Sequence, residues 1–171
     1  MAQNKSWTEK YRPKSLDHIA AQGRAMKDIR KWAKAWEKGK PDDKALLLYG
    51  SPGTGKSATA AALAEEKGWD LIELNASNQR TKKKIERIAG SAASMGTLSG
   101  HGQKRLIVLD EADNVHGQAD RGGYGAISNL LKETHNPIIL IGNDRYDIPR
   151  KVRNKVKEVN FRSLRTSSIA K

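Results

Sequence analysis

The stretch GSPGTGKS, residues 50–57, carries residue types that bind phosphate. It matches the pattern G-x-x-x-x-G-K-[ST], in which glycines let backbone N–H groups converge on a phosphate group. The pattern follows an aliphatic run and opens an alanine-rich helical one, and the amino end of a helix favours a bound anion. Lys56 would reach the β- and γ-phosphates of a nucleotide, and the Ser57 hydroxyl would bind Mg²⁺. The alternative is a glycine-rich turn that holds no ligand.

Two acids follow the aliphatic run RLIVL, residues 105–109. Asp110 stands at the end of this predicted strand, where it can hold Mg²⁺ through water opposite Ser57. Glu111 is then placed to orient and deprotonate an attacking water. This acid pair favours hydrolysis over phosphoryl transfer to a small molecule, although two acids can also cap a following helix.

Asn143 comes just after another aliphatic run, PIILI, residues 137–141. An amide at the tip of a strand beside the acid-bearing strand can hydrogen-bond the γ-phosphate or the attacking water. Asparagine is also a common turn residue, so alone it is weak evidence. Together with Lys56 and Glu111 it completes a predicted catalytic set.

Short aliphatic runs alternate with helical patterns along the chain, as in a parallel sheet buried on both faces. The runs are residues 45–49, 71–74, 105–109 and 137–141, and the helical patterns are residues 22–38, 55–68, 81–95 and 125–134. Near the end, Val159 and Phe161 point to one face, as in a last strand of the sheet. The order predicts an α/β domain of three layers with a five-stranded parallel sheet. Glycine-rich stretches at 96–102 and 117–125 are predicted to be mobile loops, and the tryptophans to be packing residues.

Composition narrows the class of protein. The net charge of the 171 residues is +13, which favours a polyanionic partner but also fits a lysine-rich solvated surface. The absence of cysteine excludes disulfides and thiolate zinc sites, and the four histidines are scattered. Because no apolar run approaches the roughly 18 residues of a membrane helix and the N-terminus is polar, we expect a cytoplasmic protein with no membrane partner.

The phosphate motif, the acid pair and the asparagine, in this order, resemble the AAA+ ATPases, and finer details resemble the clamp loaders of the replication factor C family. WTEKYRPKSLDHIAAQ, residues 7–22, is similar to that family's N-terminal box. ELNASNQRT, residues 73–81, looks like its segment after the second strand, although Asn78 stands where the family usually has an acid. Residues 110–133 and 136–147 resemble the large subunit, particularly its archaeal form.

This resemblance implies a P-loop NTPase (AAA+) domain that binds ATP with Mg²⁺ and hydrolyses ATP in a DNA-dependent manner. The implied partners are small clamp-loader subunits in a hetero-pentamer, a sliding clamp and primed DNA without sequence preference, in a nucleoid-associated cytoplasmic setting. The alternatives are an ATP-binding scaffold subunit without essential hydrolysis, or another AAA+ nucleic-acid machine such as a helicase loader.

The resemblance also assigns nucleotide contacts. Those at the adenine pocket are Tyr11, Arg12 and Pro13. Those at the phosphates are Gly50, Ser51, Pro52, Gly53, Thr54, Gly55, Lys56, Ser57 and Ala58.

Two surfaces are assigned to macromolecular partners. In clamp loaders the helices after the second strand track the DNA backbone, so Arg80, Lys82, Lys83, Lys84 and Arg87 are predicted DNA contacts, the alternative being a solvated basic face. Tyr124 and Ile127 are candidates for contact with the sliding clamp, against plain packing on the sheet.

Two departures from the family pattern matter. The small subunits carry an arginine that reaches the neighbouring ATP site, whereas this chain has Asn154-Lys155-Val156 there, so it is expected to receive such an arginine and donate none. The helical lid and collar domains that follow the sheet domain in the family are expected to lie outside this sequence, as in a piece of a longer protein, so we expect weak ATP binding and slow hydrolysis by the chain alone. The expected division is an N-terminal segment with the first helix at 1–44, the ATPase core at 45–164, and the start of a linker to the lid at 165–171.

Overall fold

The computed structural model describes residues 13–19, 22–39, 41–77, 83–85, 87, 104–115 and 121–163, without the side chains of residues 121 and 122. Five strands form one sheet: β1 (Ala45–Tyr49), β2 (Asp70–Asn75), β3 (Arg105–Asp110), β4 (Ile138–Gly142) and β5 (Lys157–Asn160). Their order is β2-β3-β4-β1-β5, and every pairing is parallel. The predicted five-stranded parallel sheet is therefore confirmed.

Helices cover the sheet and connect its strands. They are α1 (Gly23–Glu37), α2 (Lys56–Lys67), α3 (Arg121–Glu133) and the single turn α4 (Arg150–Arg153), with short 3₁₀ turns at Leu16–His18 and Arg145–Asp147. Helix α2 ends at Lys67 and is capped by Gly68, which takes a left-handed conformation with φ 62°, as glycines after helices often do. The helix predicted over residues 22–38 is observed within one residue of those bounds.

The glycine-rich stretch before α3 departs from the prediction. Residues 121–125 were expected in a mobile loop, but they form the first turns of α3. A Cβ on Gly123 would lie 2.8 Å from the Val115 side chain, so glycine permits a close approach here. The Tyr124 hydroxyl lies 3.0 Å from the Ala112 carbonyl oxygen and 3.2 Å from that of Asp147. These tertiary contacts offset the low helix propensity of the glycines.

The core consists of one apolar cluster on each face of the sheet. Side chains alternate along β1, so that Leu46 and Leu48 join a cluster with α1 and α2, while Ala45 and Leu47 join a second cluster with α3. The first cluster also contains the buried Trp32 and Trp36, whose rings meet edge to face at 6.4 Å, as expected for packing residues. Two helical layers around a sheet make the predicted three-layer domain.

Strand β5 continues this core near the end of the described chain. Val159 and Phe161 are both buried in the first cluster, which confirms the expectation that they share one face. The Phe161 amide donates to the Tyr49 carbonyl, so the chain stays beside β1 past the last strand residue. Among the described residues, no helix is long and apolar enough to cross a membrane. The divisions at residues 44 and 164 stay predictions.

Candidate nucleotide-binding and hydrolysis site

The loop between β1 and α2 has backbone geometry that glycine alone adopts readily. Gly50, Gly53 and Gly55 have φ of 144°, 73° and 91°. A Cβ on Gly50 would also overlap the carbonyl oxygen of Phe161, which packs behind the loop. Ser51, Pro52 and Gly53 are exposed at the tip, whereas Thr54 is buried, and its hydroxyl donates to the Ser51 carbonyl at 2.9 Å. The loop is thus held in shape with its tip free to meet a phosphate.

Lys56 lies folded back beneath this loop. Its ammonium donates to the carbonyl oxygens of Gly50 at 2.6 Å and Ser51 at 2.9 Å. Burial lowers the pKa of the Lys56 ammonium, while the charges of Asp110 and Asp113 oppose that effect. An arriving phosphate would therefore compete with two carbonyl oxygens for the same cation.

The two predicted magnesium ligands are in contact. The Ser57 hydroxyl donates to Asp110 Oδ2 at 2.8 Å, although 53 residues separate them in sequence. The other carboxylate oxygen of Asp110 accepts the Glu111 backbone N–H at 2.8 Å. One hydroxyl and one carboxylate suit Mg²⁺, which usually keeps several waters and takes substrate phosphate oxygens as further ligands. In the described part of the chain, no group of three or more acids, histidines or cysteines forms a cage for a metal ion.

Glu111 follows Asp110 in an unusual conformation. Its φ is 55°, in the left-handed region that residues other than glycine seldom adopt and that is found often at functional sites. Its side chain is exposed, and Oε2 accepts from the Asn75 amide at 3.0 Å and lies 2.9 Å from the Ser77 hydroxyl. Asn75 and Ser77 were missed as site residues. The available signal was a polar residue at the end of a neighbouring strand.

Asn143 lies at the tip of β4, next to the phosphate loop. Its carbonyl oxygen accepts the Gly50 backbone N–H at 3.2 Å, and its side chain is exposed. Its own backbone N–H donates at 2.7 Å to Asp113, a buried acid that was also missed. The structure therefore brings all three predicted catalytic residues, Lys56, Glu111 and Asn143, to the carboxyl end of the sheet, where α/β proteins bind ligands.

The N-terminal box is described only in part. Tyr11 and Arg12 lie outside the described residues, and Pro13 is half-buried. Just after it, the Ser15 hydroxyl and the Leu16 N–H both donate to Glu66 Oε2 at 3.0 Å. Because Glu66 lies near the end of α2, the described part of the box is tied to the helix that begins at the phosphate loop.

The predicted DNA contacts are also described in part. Arg80 and Lys82 lie outside the described residues, whereas Lys83, Lys84 and Arg87 have helical backbone and exposed side chains. Ile85 between them is buried in the second core cluster. The described basic residues therefore surround a core anchor and face solvent.

The candidate clamp contacts on α3 differ in exposure. Ile127 is 1% exposed and belongs to the core, which favours the packing alternative for this residue. Tyr124 is half-buried, with its hydroxyl held between two backbone carbonyls. A clamp contact therefore stays a prediction for Tyr124 and is not carried further for Ile127, since a buried side chain offers no surface to a partner.

Lys155, at the position of the missing arginine, is tied to its own chain. Its ammonium donates to the Ser128 hydroxyl at 2.5 Å and lies 3.3 Å from the Ser128 carbonyl oxygen. Burial lowers its pKa, and so do the charges of Lys132 and Lys151. The expectation that the chain donates no cation to a neighbouring site stays a prediction.

Comparisons with known proteins agree with this geometry. Residues 46–164 match the family model described as ATPase family associated with various cellular activities (AAA). Proteins named replication factor C large subunit are similar to the chain. That of Methanothrix thermoacetophila is 52% identical across 96% of the chain, and that of Methanosarcina mazei is 53% identical across 95%. The chain spans 35% and 26% of their lengths, respectively.

The matched residues include every described part of the candidate phosphate site. The phosphate loop, the acids Asp110 and Glu111 and the amide Asn143 all lie between residues 46 and 164. The sheet that carries them has the predicted parallel architecture. The chain therefore belongs to the AAA family of ATPases.

Proposed function

We propose that this chain is the ATP-binding and ATP-hydrolysing domain of a clamp-loader large subunit, which helps to load a ring-shaped sliding clamp onto primed DNA. The observation that carries the ATPase part is the 2.8 Å contact between Ser57 and Asp110, because it joins the phosphate loop to the end of β3, directly before the candidate base Glu111. The similarity to archaeal replication factor C large subunits supports the biological role.

Each site residue has a distinct task in this proposal. Bound Mg²⁺ would neutralise charge on the phosphates, held by the Ser57 hydroxyl and, through water, by Asp110. The Lys56 ammonium exchanges its loop carbonyls for phosphate oxygens. Glu111 takes a proton from the attacking water, and the Asn143 amide orients that water or the γ-phosphate.

The partners follow from the same assignment. Small clamp-loader subunits complete a hetero-pentamer, and one of them supplies an arginine to this ATP site. The DNA backbone is contacted by the exposed Lys83, Lys84 and Arg87, together with Arg80 and Lys82. Tyr124 contributes to the contact with the sliding clamp. The assembly acts in the cytoplasm, in association with the nucleoid.

An ATP-binding scaffold is the second candidate. The observation that favours it is the position of the Glu111 carboxylate, which the amide of Asn75 and the hydroxyl of Ser77 already engage. Because both contacts are to Oε2, a base held in this way would meet the attacking water through its other oxygen or would have to leave one of those groups. In a scaffold subunit, ATP binding would assemble the complex while other subunits hydrolyse.

The substitution Glu111→Gln separates the two candidates, because glutamine keeps the hydrogen-bonding shape and loses the base. The full-length protein is assembled with small subunits whose own phosphate-loop lysine is replaced, so that the remaining hydrolysis belongs to this site. We expect the DNA- and clamp-stimulated rate to fall by about 100-fold or more, with ATP binding retained.

Two controls frame this measurement. Glu133→Gln, an exposed acid of α3, should leave the rate unchanged, and Lys56→Ala should remove both binding and hydrolysis. In a second assembly, whose small subunits keep their phosphate-loop lysines, normal clamp loading and an unchanged hydrolysis rate with Glu111→Gln would favour the scaffold. Hydrolysis that persists with Lys56→Ala would rule out this ATP site altogether.

A further inference from the structure

Asp113 occupies a position that the proposed mechanism leaves unexplained. It is 4% exposed, and its Oδ2 accepts the backbone N–H of Asn143 at 2.7 Å and of Asp144 at 3.3 Å. Asp113 follows β3 by three residues, whereas both donors follow β4, the next strand in the sheet. The carboxylate therefore caps the end of a neighbouring strand at the edge where the site lies.

The surroundings of this carboxylate are tightly packed. A Cβ on Gly142 would lie 3.2 Å from Asp113 Cγ, and the adjacent Ala112 N–H donates to the Ile141 carbonyl at 2.8 Å. Asp113 Oδ1 is buried without a hydrogen-bond partner among the residues that the structure describes. A buried acid with one unpaired oxygen is unfavourable for folding alone, which points to a functional reason for it.

The turn that Asp113 holds also touches the phosphate loop. The Asn143 carbonyl accepts the Gly50 N–H at 3.2 Å, and the Asp113 charge acts on the Lys56 ammonium beneath the same loop. The main chain of Asn143 is thus fixed from two sides, by a buried acid and by the phosphate loop. Its side chain is left exposed at the site.

We propose that Asp113 is a positioning residue for Asn143: it fixes the Asn143 main chain so that the side-chain amide meets the γ-phosphate or the attacking water in one orientation. The proposal rests on the proposed ATPase function. Since a misplacement of about 1 Å can lower a rate by roughly 100-fold, loosening this turn should affect the chemical step. Nucleotide affinity depends mainly on the loop and Lys56, so it should change little.

A double-mutant cycle tests this inference in the full-length protein assembled with its partner subunits. The variants are Asp113→Ala, Asn143→Ala, the double variant, and Asp113→Asn, which keeps one acceptor oxygen for the turn. We expect each alanine variant to lower kcat by roughly tenfold or more, with the Kd for ATP within about threefold of the parent. The double variant should match Asn143→Ala within about twofold, because Asp113 acts through Asn143.

Backbone hydrogen exchange supplies a readout that does not depend on activity. The Asn143 and Asp144 amides should be protected in the parent, exchange faster with Asp113→Ala, and be partly protected again with Asp113→Asn. If Asp113→Ala fails to fold, Asp113→Asn tests the inference instead. It should lower kcat when introduced into the parent protein and leave kcat unchanged when introduced into the Asn143→Ala variant. If hydrolysis survives Lys56→Ala, the proposed ATPase function of this site is wrong. The exchange pattern then still tests the Asp113 contact by itself.

Three outcomes would overturn the inference. The first is a double variant whose loss equals the product of the two single losses, because independent residues multiply. The second is an unchanged kcat in a folded Asp113→Ala protein. The third is a loss of ATP affinity as large as the loss of kcat, which would make Asp113 a structural support of the whole site.

Discussion

At the scale of single residues, the site depends on backbone positions that only particular residues can occupy. Gly50 combines a φ of 144° with a close approach to the Phe161 carbonyl, so it joins the phosphate loop to the chain leaving β5. Ser163 extends this contact, since its hydroxyl lies 3.1 Å from that of Ser51. The conformation of the phosphate loop thus depends on contacts with residues more than 100 positions later in the chain.

Replacing Gly50 with alanine should strongly destabilise the domain. The added Cβ is both strained and in collision with a backbone oxygen, so we expect a loss of roughly 3 kcal/mol or more in the free energy of unfolding. Chemical denaturation of the purified domain measures this loss.

Gly53→Ala is the matched control for that prediction. Gly53 also has positive φ, at 73°, but a Cβ there meets no atom within 4 Å. Strain alone should cost roughly 1–2 kcal/mol. Equal losses for the two variants would show that the contact with Phe161 has no effect on stability.

At the scale of elements, α2 links the nucleotide site to the N-terminal segment. Its first residue is Lys56, and near its end Glu66 accepts hydrogen bonds from Ser15 and Leu16. Burial by itself would raise the pKa of Glu66, but these hydrogen bonds and the charges of Arg30 and Lys67 outweigh it and lower the pKa below 4.5. The ionised form of Glu66 therefore stabilises the folded chain.

This shift predicts a pH dependence of stability. Because the folded pKa of Glu66 is lowered, its contribution is present above the unfolded value and is lost as pH falls through the folded value. The parent should lose stability below about pH 4.5 more steeply than Glu66→Gln, which has no charge to lose there. Thermal unfolding from pH 7 to pH 3 measures the difference.

Glu65→Gln provides the comparison for this experiment, since Glu65 is the exposed neighbour on the same helix. Its stability profile should follow that of the parent. A Glu66→Gln profile that runs parallel to the parent profile throughout would contradict the role assigned to the Glu66 contacts.

At the scale of the whole molecule, the net charge of +13 is the feature most relevant to a nucleic-acid partner. Basic residues occur on both sides of the sheet. Lys83 and Lys84 precede Ile85, which belongs to the second core cluster, whereas α1 packs in the first cluster and exposes Lys27, Lys31 and Lys34. Total charge alone therefore does not identify the surface that faces DNA.

Charge reversal distinguishes the two faces. Replacing Lys82, Lys83 and Lys84 with glutamate in the full assembly should abolish DNA-stimulated hydrolysis, spare ATP binding, and reduce the salt dependence of DNA affinity by roughly three released ions. The same change at Lys27, Lys31 and Lys34 alters net charge equally and should have much less effect. Equal effects of the two triple variants would point to unspecific attraction.

Much of the fold could be predicted from the sequence because its signals are local. Four aliphatic runs predicted β1 to β4, and the alternation of Val159 and Phe161 predicted β5. Helical periodicity predicted α1, and Gly68 predicted the end of α2. The predicted loop at the start of α3 was wrong. Glycines 122, 123 and 125 disfavour a helix locally, but the packing of Gly123 on Val115 and the hydrogen bonds of the Tyr124 hydroxyl favour one. At this position, tertiary contacts override the low intrinsic helix propensity of the residues.

The sequence by itself determined where the candidate phosphate site lies, because the loop glycines, Lys56 and Ser57 fall within eight consecutive residues and depend on local geometry. Only the tertiary structure decided which groups hold Glu111 and Asn143. Asn75 contacts Glu111 from the end of β2, and Asp113 contacts Asn143 from the turn after β3. These strands are neighbours only in the folded sheet. The alternation of side chains shows which face a residue takes, but not which strand lies beside it.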